Sequence, residues 1–179
     1  VKTMNEDIIF DKEKFKVLIH YIISKCDSKD DFGKTVLYKL AYFSDFNYYE
    51  LYEKPISGAK YVRKTHGPIP PIFDEEIKAE LINEHKIKEI KEYSHYPRYK
   101  YKSLKNPNVE LLSENEIFTS DNVINMLSHM NATQISKYSH GDLPWRIAKN
   151  DEELDYEYVF YREPEYSVRK YEDKWTRRI

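Results

Sequence analysis

The chain has one cysteine, four glycines and two tryptophans in 179 residues. No apolar run approaches the ~18 residues that a membrane span needs. A single thiol, Cys26, excludes an intrachain disulfide. Its place on the apolar face of a helical pattern reads as a small core residue rather than a reactive group. Four glycines are too few for a Gly-rich phosphate cradle, and no P-loop or dinucleotide fingerprint occurs. Ser44, Ser57 and Ser139 lack the GxSxG elbow of a serine nucleophile. No CxxC, HxxxH or HExxH spacing supplies a ligand set, so neither metal nor cofactor is expected. Charge of either sign is not in excess either: 29 basic against 31 acidic residues leave −2. That balance argues against a dedicated DNA-binding protein, although a local basic patch is compatible with it. With no signal-peptide pattern, the expectation is a soluble protein of a reducing cytoplasm, without a membrane partner.

What the chain does have is tyrosine, seventeen of them. Tyr combines apolar area with a polar tip, so it serves half-buried core edges and interfaces alike. A coding bias towards Lys, Tyr, Asn and Ile explains the number equally well.

The length suits one domain with a real core. Residues 1–10 read as a lead-in, a strand or loop. Asp11 is a candidate N-cap, and Phe15, Leu18, Ile19, Ile22, Ile23 and Cys26 recur at helical spacing, predicting a helix over 11–26. A second helix over about 34–53 is apolar nearly all round, which marks it as the buried central element. Pro55 ends it. Alternation over 57–64 predicts a short strand, His66-Gly67-Pro68-Ile69-Pro70-Pro71 a rigid turn, and 71–84 a third helix. A β-hairpin is predicted at about 87–93 and 98–104. Ser113 to Glu116 form a capping box that opens a helix to about Met130. Asn131 to Gln134 repeat the N-cap logic for a helix ending near Ser139, and Leu143–Lys149 form a further helical turn. Leu154–Tyr161 reads as a strand, and the charged tail over 163–179 as helix-compatible. The fold class is therefore mainly α with a small antiparallel β-hairpin, a compact helical core around a buried central helix.

Three separated blocks carry a resemblance. Lys39-Leu40-Ala41-Tyr42-Phe43-Ser44-Asp45-Phe46 resembles the KLLYFADF helix of the Panacea domain, the SocA-like antitoxins. Pro55-Ile56-Ser57-Gly58, then Tyr61-Val62 and Gly67-Pro68-Ile69-Pro70, are similar in order and spacing to that family's central block. Ser139-His140, Pro144-Trp145 and Tyr156–Tyr161 resemble its closing segments, so the likeness covers about residues 11–162. The departures are Ser44, where the family tends to have Ala, and the unmatched tail after Glu163. The resemblance implies the antitoxin half of a toxin–antitoxin pair, often carried on prophage or plasmid. It implies a cognate protein toxin as partner, neutralised by direct binding rather than by catalysis, and a AAA+ protease as a further partner, as for at least one member. Self-association is compatible with it.

The motif residues Lys39, Tyr42, Asp45, Gly58, Tyr61, His66, Gly67, Pro68, His140 and Trp145 are candidates for structural or partner-binding roles. Lys39 and Asp45 lie six residues apart, about 240° around the helix axis, so each needs a separate partner. A small hydrolase using Asp45, His66 and His140 would require the three to share a cleft. The hairpin interleaves Lys88, Lys91, Arg98, Lys100 and Lys102 with tyrosines. Tyr93, Tyr96, Arg98, Tyr99, Lys100 and Tyr101 are therefore the candidate partner surface. The same pattern fits an edge guarded by lysines, a dock for an acidic partner, or a nucleic-acid track. A nucleic-acid-binding regulator is the alternative function.

Overall fold

The computed structural model describes residues 5, 7–93 and 95–171. Helix α1 (Lys12–Cys26) starts where the Asp11 carboxylate accepts the Lys14 amide at 3.0 Å. Its predicted stripe from Phe15 to Cys26 is fully buried. Helix α2 (Lys34–Tyr52) is buried without interruption from Val36 to Glu50, because α1, the later helices and the first hairpin all pack around it. It stops at Glu53, in left-handed backbone with φ 60°, two residues ahead of Pro55.

Strands β1 (Val62–Lys64) and β2 (Gly67–Ile69) pair antiparallel, with Val62 opposite Ile69. Only the end of the strand predicted over 57–64 is realised. Ser57 is held by Asp45 of α2, and Gly58 adopts φ 74°, so the chain dives into the core instead of running flat. Tyr61 and Val62 are consequently both buried, which a two-residue alternation forbids. The third helix opens with a π-helical turn at Phe73–Ile77 before α3 (Lys78–Asn83). Phe73, Ile77 and Leu81 are its fully buried side.

Strands β3 (Ile87–Tyr93) and β4 (Pro97–Ser103) form the predicted hairpin, with Ile87 opposite Ser103 and Tyr93 opposite Pro97. Its base is fastened to α1: Ser103 donates its amide to the Asp27 carboxylate at 3.0 Å, and Lys102 Nζ donates to the Asp27 carbonyl at 2.5 Å. Helices α4 (Glu114–Leu127) and α5 (Ala132–Ser139) both begin with complete capping boxes, Ser113/Glu116 and Asn131/Gln134. Short helix α6 (Leu143–Ile147) follows Asp142.

Two expectations are corrected. Tyr156–Tyr161 is a 3-10 helix, not a strand. Asp155 caps it by accepting the Glu157 amide at 2.9 Å, and the Tyr156 ring stacks on Phe46 with centroids 4.1 Å apart. An apolar/acidic alternation cannot distinguish this from a strand when one tyrosine is anchored so deeply. From Glu163 to Tyr171 the tail has no helix; after a turn at 164–166 it runs as a strap pinned to α2. The rest of that tail, 172–179, lies outside the described residues. Among the described residues no helix is long and apolar enough to cross a membrane.

Candidate functional site

The motif residues separate into two clusters on different sides of α2, as expected for Lys39 and Asp45 about 120° apart around its axis. Asp45 is fully buried and accepts from the Ser57 amide at 2.7 Å, Ser57 Oγ at 2.6 Å and Tyr61 Oη at 2.7 Å. Burial pushes its carboxyl above the ordinary range, opposed by these donors. The Tyr61 ring meets Tyr42 and Phe46 edge-on, at 5.6 and 5.7 Å. Asp45 therefore fastens the Ser57–Tyr61 segment to α2. Neither His66 nor His140 is among its hydrogen-bond partners.

Next to this cluster lies an ionic network that the sequence reading missed. Arg162 grips Asp142 through two nitrogens, at 2.8 and 2.7 Å, and donates to Asn47 at 2.8 Å and Glu50 at 3.1 Å. The side chains of Arg162, Asp142 and Glu50 are all fully buried. Tyr42 Oη donates to Asp142 at 2.8 Å. Glu50 also accepts from Ser167 Oγ at 2.5 Å, the Val168 amide at 3.1 Å and Tyr171 Oη at 2.9 Å, which holds the strap. The available signal was Glu50, a third charge among the apolar residues of α2 beside Lys39 and Asp45, which burial obliges to find a partner.

The second motif cluster centres on Lys39, 1% exposed. Its Nζ donates to the Pro68 carbonyl at 3.2 Å. Burial draws the amine down to about 7 from its ordinary 10.5, with no carboxylate acting on it. Gly67, at φ 111°, closes over it: a Cβ there would lie 2.3 Å from Ser139 Oγ and 2.6 Å from Lys39 Cε. His140 stacks on Trp145 at 4.3 Å, and the Arg63 guanidinium lies 3.8 Å from the Trp145 ring centroid. Trp145 Nε1 donates to the Lys64 carbonyl at 3.1 Å, tying α6 to β1. Lys39, Gly67, Pro68, His140 and Trp145 are thus brought together, while Tyr42, Asp45, Gly58 and Tyr61 form the other cluster. His66 is exposed in the β1–β2 turn.

The hairpin surface is only partly as expected. Tyr93 and Tyr96 are 79% and 69% exposed, and Arg98 is exposed beside them. Tyr99 and Lys100 are half-buried; the Tyr99 ring lies 4.7 Å from Lys34 Nζ. Tyr101 is no surface residue at all, at 1% exposed. It faces Phe73 edge-on at 5.6 Å and donates to Glu89 at 2.7 Å, because the hairpin base packs on the core and only the tip projects. Between the tip and the starts of α2 and α5 lies a cleft of about 370 Å³, lined by Lys34, Tyr96, Arg98 and Tyr99 among others. Among the described residues no group of three or more His, Cys, Asp or Glu is placed to hold a metal ion.

Comparison with known proteins agrees with the motif blocks. The family described as "Antitoxin SocA-like, Panacea domain" matches residues 37–146, more than half of the chain. No curated protein and no solved structure matches. The matched span takes in both motif clusters and the whole hairpin, and the chain belongs to the SocA-like antitoxin family with its Panacea domain.

Proposed function

We propose that this protein neutralises a cognate protein toxin by direct, stoichiometric binding, as a cytoplasmic antitoxin with no chemistry of its own. The family match over 37–146 carries this reading. Two further features support it. The charged groups of α2 are committed to internal contacts, and the projecting hairpin tip offers exposed tyrosines with a neighbouring arginine. Interfaces concentrate their energy in a few Tyr, Trp and Arg anchors. Tyr93, Tyr96 and Arg98 are the proposed anchors, with Tyr99 and Lys100 at the wall of the adjoining cleft. The functional unit is taken to run from residue 11 to 162, since Asp11 caps the first helix and Arg162 closes the buried network. Handing the bound toxin to a AAA+ protease would be a second use of the same interface.

Co-expression with the product of the adjacent reading frame tests the proposal: growth is rescued and the two proteins co-purify. Absence of both sinks it, and tight salt-sensitive binding to DNA or RNA in their place would favour the regulator reading. Within a complex, the double variant Tyr93→Ala/Tyr96→Ala is expected to weaken affinity by about 10²-fold. The far-UV spectrum should be unchanged, because both rings are exposed. Unaltered affinity by calorimetry would move the interface off the hairpin.

A further inference from the structure

We propose that the Lys39–His140 cluster beneath the β1–β2 turn is a binding site for a small oxyanion, phosphate or carboxylate, distinct from the toxin-binding surface. The argument starts from missing partners. Two buried nitrogens in this cluster, Arg63 Nε and His140 Nε2, have no hydrogen-bond partner among the described residues. Buried polar atoms are nearly always satisfied, so two orphans in one place need a reason. Lys39 adds an amine that is 1% exposed and has a carbonyl, not a carboxylate, as its acceptor.

The charges point the same way. Lys39, Arg63, His66 and His140 come together from α2, β1, the β1–β2 turn and the end of α5. Burial first, and then the neighbouring Lys39, His66 and Arg63, lower the affinity of the His140 ring for a proton. No carboxylate is among the groups acting on Lys39 or His140. An anion would supply acceptors to Arg63 Nε and to Lys39 in its ammonium form.

The cover of the site offers a route of entry. The acceptors that Lys39 and His140 now use, the carbonyls of Pro68 and Thr65, belong to β2 and to the turn before it. Thr65 and His66 in that turn are exposed. An oxyanion arriving as the turn lifts would replace both carbonyls. Lys39 would bind it as an ammonium and take up a proton from solvent in doing so.

Sulfate is the first probe, because its charge is constant between pH 6 and 9. Trp145 reports on the site, and the Trp175→Phe background removes the second tryptophan. The expected result is a saturable fluorescence change whose affinity falls about tenfold per pH unit between pH 8 and 9, as protonating Lys39 becomes costly. Binding is expected to weaken more than tenfold in both Lys39→Met and His140→Phe, each checked for a native near-UV spectrum. Inorganic phosphate and acetate, run at fixed pH, then distinguish a phosphoryl ligand from a carboxylate. Sulfate affinity that is flat across that pH range, or unchanged in a folded Lys39→Met protein, would overturn the site. Neither outcome bears on toxin neutralisation, which is read separately by growth rescue.

Discussion

Arg162→Ala is expected to lower the stability of the protein by about 3–5 kcal/mol, read as a fall in the urea midpoint. The size follows from what remains behind. Asp142 and Glu50 would be left fully buried without their cation, and Asn47 would lose its donor. Each stranded carboxylate keeps its desolvation penalty after its attraction is gone. Loss of the strap should accompany the effect, because Glu50 also holds Ser167, Val168 and Tyr171. Adding Asp142→Asn and Glu50→Gln to Arg162→Met removes the stranded charges and is expected to recover part of the loss. If Arg162→Ala alone costs less than about 1 kcal/mol, the network is not the clamp described.

Lys39→Met is expected to act in the opposite direction, raising stability at pH 7 by about 1–4 kcal/mol. The folded protein holds the amine at about 7, against 10.5 ordinarily. Between those two values the unfolded chain binds more protons than the folded one, so stability rises with pH through that window. The slope cannot exceed about 1.4 kcal/mol per pH unit for one group. The difference between wild type and Lys39→Met should therefore shrink as pH climbs from 7 to 10. A difference independent of pH would mean that Lys39 is not buried without a counter-charge. A stabilising substitution at a motif position is also what a residue retained for binding predicts.

The helices were legible because their signals are short-range. Asp11, Ser113 and Asn131 each bond to an amide three residues on, so the cap and the residue it satisfies sit in one window of sequence. The buried character of α2 was equally plain, since no face of it is polar enough for water. The bounds of the hairpin strands were readable to within a residue, but not which of its tyrosines were surface. Tyr101 and Tyr93 look alike in sequence; only the Phe73 ring beneath one of them separates the two.

The site was legible in its parts rather than in its assembly. Six residues along a helix told that Lys39 and Asp45 part company, since that angle is a property of the helix alone. Their destinations were not deducible from it. Gly67 closes over Lys39 although it lies 28 positions away along the chain, and Asp142 reaches Tyr42 over 100 residues. The main helices, their caps and the buried axis thus belong to the sequence, where neighbours three or four residues apart decide the outcome. The pairing of buried charges, the exposed or covered state of each tyrosine and the acid-free basic cluster belong to the tertiary fold. Desolvation and Coulombic attraction depend on which distant segments the packed core brings within a few ångströms of one another.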